Sequence, residues 1–159
     1  MIADVPISGT PLAQTQKVAE ATSTSLDNLM QQSLQTLKED IQKQKVIVRC
    51  DTLPEVQGNL GDLQFVFTNI LNSIINYPAE SRLFIYINYK KDSYQMNGDI
   101  IELTNGPAIH FHSNLRVDDA WRQHHAVLLK QCHEMLHKYG AAFVISDNSC
   151  GSLFSISFR

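Results

Sequence analysis

The stretch from Leu60 to Asn76 constrains the fold of this chain more than any other. Leu63, Val66, Phe67, Ile70, Leu71, Ile74 and Ile75 recur at three- and four-residue intervals, which predicts a helix buried along a broad apolar stripe. Asn59 stands where an N-cap would accept the first free amide. Asn69, Ser73, Asn76 and Tyr77 recur along one flank of the stripe, three and four residues apart. A helix this apolar folds only if a sheet or other helices cover it, and its polar flank then borders whatever lies beside the core.

The rest of the pattern supplies that cover. Leu26, Leu29, Met30, Leu34, Leu37 and Ile41 predict an earlier helix from Leu26 to Gln44, started by Ser25 and Asn28. Val46 to Cys50 is a β-branched strand closed by Pro54. Arg82 to Tyr89 alternates Leu83, Ile85, Ile87 and Tyr89, Ile100 to Leu103 is short and apolar, and Asn97-Gly98 between them is a turn signal, so the two predict a hairpin. Asn105 to Asp119 reads as irregular. Leu129, Cys132, Met135, Leu136 and Tyr139 form a stripe that stops near Gly140, as a helix with a glycine C-cap does. Ala142 to Ser146 and Leu153 to Phe158 close the chain as strands. The order α-β-α-β-β-α-β-β predicts an α+β, two-layer α/β sandwich: a mixed, mostly antiparallel sheet with helices on one face. Residues 1–24, with Pro6, Gly9 and Pro11 and little periodicity, read as a linker or flexible N-terminal segment, leaving 25–159 as one domain.

Composition narrows the function classes. A net charge of -3 and a pI near 6.0 leave no basic footprint for nucleic acid. No apolar run approaches the roughly 20 residues of a membrane span, and the start lacks the order of a signal peptide. Cys50, Cys132 and Cys150 are an odd set at unrelated spacings, which favours reduced thiols in a cytoplasmic compartment over a disulfide framework.

The helix flank and its approach, Leu53-Pro54-Glu55-Val56-Gln57-Gly58-Asn59 and Asn69-Ile70-Leu71-Asn72-Ser73-Ile74-Ile75-Asn76-Tyr77, resemble the nucleotide-binding helix of sensor histidine kinases, the N box, which reads Asn-Leu-Leu-x-Asn-Ala-x-Lys-Tyr. Thr104-Asn105-Gly106-Pro107-Ala108-Ile109 echoes that family's Asp-x-Gly-x-Gly box, and Gly151-Ser152-Leu153-Phe154 is similar to the Gly-Thr-x-Phe opening its last strand. Over Ser25 to Arg159 the chain resembles the histidine-kinase-like ATPase domain, the GHKL or Bergerat fold, and its opening is most similar to bacterial kinases of the bacteriophytochrome type.

The resemblance implies a pocket for ATP and magnesium at Asn69, Ser73, Asn76, Tyr77, Thr104, Gly106 and Ala108. At those positions Ser73 replaces the magnesium-ligating Asn, Asn76 the phosphate-reaching Lys, and Thr104 the adenine-reading Asp. A serine is too short to reach the same metal position, and a neutral amide offers no charge to a triphosphate. Trp121-Arg122-Gln123-His124-His125-Ala126-Val127-Leu128 occupies the region of the glycine-rich lid, so few backbone N–H groups can converge on phosphate. The expectation is a vestigial nucleotide pocket with no cofactor and no catalytic residue, a pseudokinase-like domain. The alternative is a kinase catalytic domain that retains ATP and magnesium through unusual contacts.

A second motif competes. His133-Glu134-Met135-Leu136-His137 matches H-E-x-x-H, in which two helical His ligands and a Glu base make a zinc hydrolase. Phe143 stands at the third-ligand position of the extended motif, and His133 and His137 fall off the apolar stripe and are expected in solvent. His133-Glu134 is not followed by the Pro of a phosphoacceptor motif, and no helical hairpin precedes Leu26. The family resemblance therefore implies two-component partners: kinase, phosphotransfer or response-regulator domains, with a homodimer as a further possibility. Phe111, Leu115 and Trp121, between His110 and His125, are expected either to anchor a partner or to fold back and plug the pocket.

Overall fold

The computed structural model describes residues 23–78, 81–91, 93–97, 100–104, 107–148 and 150–158. Its elements run β1 (Ser23–Ser25), α1 (Leu26–Thr36), α2 (Lys38–Gln44), β2 (Ile47–Cys50), β3 (Glu55–Gln57), α3 (Leu60–Ile75), β4 (Phe84–Lys90), β5 (Ser93–Asn97), β6 (Ile100–Thr104), β7 (Ala108–Ser113), α4 (Asp119–His124), α5 (Ala126–His137), β8 (Ala142–Asn148) and β9 (Gly151–Ser157). Five strands form the main sheet in the order β2-β4-β7-β9-β8. Only β2 and β4 run parallel; the other neighbours are antiparallel. Two further pairs, β1 with β3 and β5 with β6, stand apart from it.

One face of the sheet carries the core. Ile85 and Ile87 of β4, Ile109 and Phe111 of β7, Phe154 and Ile156 of β9 and Phe143 of β8 point toward the helices, and the whole stripe of α3 is buried against them. Phe67 in the middle of α3 meets Phe111 edge-on at 5.7 Å, which fixes the helix over the centre of the sheet. Asn59 caps α3 through the Asp62 amide at 3.1 Å, and Ser25 caps α1 through the Asn28 amide at 3.2 Å. α5 runs back along α3: its C-terminal Lys138 and Tyr139 both reach Asp62 in the first turn of α3. Gly140, at φ +71°, ends that helix, and the Ala141 amide returns to the Leu136 carbonyl at 3.0 Å, the helix-terminating pattern a glycine permits.

Four expectations need correction. The first helix is broken at Leu37, whose φ of -98° and ψ of 11° leave the helical region. The Thr36 hydroxyl bonds back to the Gln32 carbonyl at 3.0 Å, a contact that bends helices, and Leu37 turns into the core. Ser23 and Thr24, assigned to the linker, form β1, where buried Thr24 donates to the Gly58 carbonyl at 2.9 Å; residues 1–22 lie outside the described residues. The strand over Phe84–Lys90 pairs with β2 and β7, whereas Ile100–Thr104 pairs with Ser93–Asn97. Asn97 opposite Ile100 leaves Gly98 and Asp99 as the connection, both outside the described residues. Finally, the stretch read as irregular contains β7, the central strand: Ile109, Phe111 and Ser113 face the core while His110 and His112 occupy the open face.

A candidate functional site closed by a buried tryptophan

The polar flank of α3 is spent on internal bonds. The Asn69 side-chain amide donates to the Phe65 carbonyl at 2.8 Å, and the buried Ser73 hydroxyl donates to the Ile70 carbonyl at 2.6 Å. Asn76, exposed at the end of the helix, donates to the Asn72 side chain at 2.6 Å and to the Asp40 carboxylate of α2 at 3.2 Å. Of these three side chains Asn69 and Ser73 bond within the helix, and only Asn76 also borders open space.

Beside Ser73 stands Trp121. Asp118 caps the short α4 through the Trp121 amide at 2.8 Å, and that first turn aims the indole inward. The ring is fully buried. Its N–H donates to the Ser73 carbonyl at 3.3 Å, a carbonyl in the last turn of α3 where helical donors run out. The indole packs 4.3 Å from the His125 ring and edge-on to Phe154 at 5.6 Å, so it joins helix, sheet and lid segment. His125 Nδ1 bonds the Trp121 carbonyl at 2.9 Å; because a carbonyl only accepts, Nδ1 carries the proton. Burial lowers the His125 pKa, partly opposed by that hydrogen bond, and His124 lowers it further. Phe111 and Leu115 are buried as well, so none of these three side chains stands out as an exposed anchor.

A cleft of about 620 Å³ remains at the outer edge of this cluster, lined by Asn72, Asn76, Tyr77, Pro78, His124 and His125. Tyr77 sits 6.0 Å from the His124 ring and 5.8 Å from the His125 ring.

The glycine-box segment lies elsewhere. Thr104 ends β6, Gly106 lies outside the described residues, and Ala108 opens β7, buried and paired with Lys90 and Ser157. Phe67 and Phe111 register the middle of α3 on the middle of β7, and Tyr77 borders a cavity with Asn114 and Leu115, beyond the Ser113 end of that strand. Ala108 is at the opposite end. The structure thus gathers Asn69, Ser73, Asn76 and Tyr77 on one helix and places Ala108 away from Tyr77.

His133, Glu134 and His137 are exposed on α5. They border a groove of about 510 Å³ floored by Ala141, Ala142 and Phe143, with the His133 ring 5.3 Å from that of Phe143. Phe143 is buried in the core, and among the described residues no group of three or more His, Cys, Asp and Glu is placed to hold a metal ion.

The open face of the sheet carries a cluster that sequence reasoning missed. His112 stacks on Tyr86 at 5.5 Å, Arg49 lies over the same ring at 5.3 Å, and the Tyr86 hydroxyl donates to Asp51 at 2.6 Å. His110 meets the Ser155 hydroxyl at 2.8 Å, and burial, aided by His112 and Lys90, lowers its pKa to about 4. The alternation of His110 and His112 with Ile109 and Phe111 was the available signal.

No protein-family model matches the chain, and no curated protein matches it in sequence. Solved structures do match its fold. The catalytic domain of histidine kinase ThkA, in a nucleotide-free form, aligns with a TM-score of 0.67 at 12% identity over 88% of this chain and 95% of that domain. The histidine kinase AdeS of Acinetobacter baumannii gives 0.65 at 12% identity over 93% of this chain and 72% of AdeS. The ATP-binding domain of PrrB from Mycobacterium tuberculosis gives 0.60 at 11% identity, covering 88% and 97%. No helix among the described residues is long and apolar enough to cross a membrane. The chain therefore has the histidine-kinase-like GHKL ATPase fold, the α+β architecture of histidine kinase catalytic domains.

Proposed function

We propose that this chain is a cytoplasmic, bacterial signalling domain with a histidine kinase catalytic fold whose nucleotide pocket is filled by its own lid segment. It binds partner proteins of a two-component system, whether kinase, phosphotransfer or response-regulator domains, and transfers no phosphoryl group. The observation that carries this reading is the fully buried Trp121, hydrogen-bonded to the Ser73 carbonyl on the helix that resembles the N box. Asn69, Ser73, Asn76 and Tyr77 are then the remnant of a pocket, and Ala108, at the opposite end of β7, takes no part in it. The reading draws support from the α3 side chains: Ser73 and Asn69 donate to helix carbonyls, and Asn76 donates to a carboxylate that would repel a phosphate.

A second reading, in which a nucleotide is held through unusual contacts, draws support from the cleft beside Asn72, Tyr77, His124 and His125. Thermal unfolding with and without magnesium-ATP separates the two. A ligand with a Kd near 10 µM, added at about 5 mM, would stabilise the fold by roughly 3.7 kcal/mol, whereas the filled pocket predicts no resolvable shift. A shift that disappears in His124→Ala with His125→Ala would establish the second reading instead.

A further inference from the structure

The two edges of the main sheet are built differently. β2 has four residues, carries Arg49 and runs directly into Asp51, features that discourage pairing with another chain. β8 has seven residues, Ala142 to Asn148, without proline, glycine or a basic side chain, and among the described residues it pairs only with β9. Val144 is 53% exposed on its open face. On its helix side, β8 borders a groove between it and α5, lined by His133, Glu134 and His137 over Phe143. Alternate residues of such a strand turn unpaired N–H and C=O groups outward.

We propose that β8 pairs antiparallel with the β8 of a second copy of this chain, joining the two sheets across a two-fold axis at Ile145. The sequence of β8 is self-complementary in that register. Ile145 faces Ile145 of the second copy, Val144 faces Ser146, Phe143 faces Asp147 and Ala142 faces Asn148, so the full strand length pairs. Roughly six to eight ladder hydrogen bonds form, depending on which alternate residues face outward. Half-buried Ile145 finds an apolar cross-strand neighbour on the helix side.

The single charge in the strand selects a like copy as the occupant. Asp147 lies opposite Phe143 and not opposite its own counterpart, so no like charges meet. Residues directly opposite project to the same face, with Cβ atoms about 5 Å apart. The Asp147 carboxylate of the second copy therefore enters the groove where the His133 ring packs on Phe143, and His133 and His137 supply N–H donors to it. Among the described residues Asp147 has a 3.9 Å pairing with Arg116, whose side chain is 65% exposed, so it can take this partner without losing a buried bond. The two histidines of the H-E-x-x-H pattern acquire a role as acceptor-binding groups at an interface.

Sedimentation analysis of the full chain from about 1 to 300 µM tests this, a range spanning ordinary dimer affinities. A monomer–dimer equilibrium is expected. Val144→Lys with Ser146→Lys, both exposed positions, sets lysines opposite lysines across the axis and should weaken dimerisation at least tenfold, with an unchanged circular dichroism spectrum. Val144→Glu with Ser146→Glu should do the same, and mixing the two variants should restore dimers. His133→Ala should weaken the wild-type dimer several-fold. A wild-type chain monomeric throughout the range overturns the proposal. So does a dimer that survives both double variants, or one that mixing fails to restore, since the interface would then lie elsewhere or in another register.

Discussion

Trp121→Ala removes the side chain that ties the lid segment to helix and sheet. The indole is fully buried against His125 and Phe154, so truncation leaves a cavity in a site hemmed in by α3 and β9. Truncating a buried aromatic to alanine costs roughly 3 to 5 kcal/mol, with the upper half expected where rigid elements cannot collapse. The hydrogen bond to the Ser73 carbonyl goes with it, about 1 kcal/mol more, because that carbonyl lies in the last turn of α3. The total, about 5 to 6 kcal/mol, corresponds to roughly a 10 to 20 °C fall in Tm for a domain of this size. Urea unfolding followed by circular dichroism measures the loss. Trp121 is the single tryptophan, so wild-type fluorescence separately reports the indole leaving its buried site. Trp121→Phe, which keeps most of the ring, should cost about 2 kcal/mol. If Trp121→Ala lowered stability by less than about 1 kcal/mol, the indole would not be the packing element described here.

Other perturbations have equally definite outcomes. Gly151→Ala should cost roughly 3 kcal/mol or more, read as a lowered urea midpoint, because at φ +146° a Cβ would lie 2.1 Å from the Ser113 carbonyl oxygen. Tyr139→Phe should cost about 1 kcal/mol by removing the hydroxyl bonded to Asp62, while Lys138→Ala, at an exposed ion pair, should change the midpoint by less than about 0.5 kcal/mol. Ser73→Asn should destabilise by about 1 to 3 kcal/mol through overpacking beside the indole, and should not by itself confer ATP binding in calorimetry. Because the folded-state pKa of His110 is lowered to about 4 from 6.5, the unfolded chain binds a proton that the fold refuses. Its contribution is complete above about pH 6.5, falls as pH drops toward 4 and levels off below. The wild-type midpoint should decline over that window, and His110→Gln should flatten the decline.

Local pattern carried far into this fold. The apolar stripe of α3, its Asn59 cap and the glycine stop at Gly140 are dictated by residues within a turn or two, and each was legible. Pairing partners were not. Asn97-Gly98 fits a turn whichever strand precedes it, and nothing local distinguishes the β5–β6 register from one using β4. β7 was hidden because its open-face residues are histidines, kept neutral by burial and neighbours, and polar residues disguise a strand. At the candidate site, the identities of Asn69, Ser73 and Asn76 were readable, but their bonds to Phe65, Ile70 and Asp40 depend on helix geometry and on α2. Trp121 could be narrowed to an anchor or a plug; its burial required Asp118 to cap α4 and Phe154 to arrive from the far end of the chain.

Calorimetric titration of the wild-type chain with magnesium-ATP tests the proposal of a filled pocket most directly. On the proposal that Trp121 fills the pocket, no saturable heat is predicted up to about 1 mM nucleotide, an affinity weaker than roughly -4 kcal/mol. Saturable binding with a micromolar Kd, abolished by competing nucleotide, would contradict the claim that the indole occupies the pocket and that this fold works without ATP.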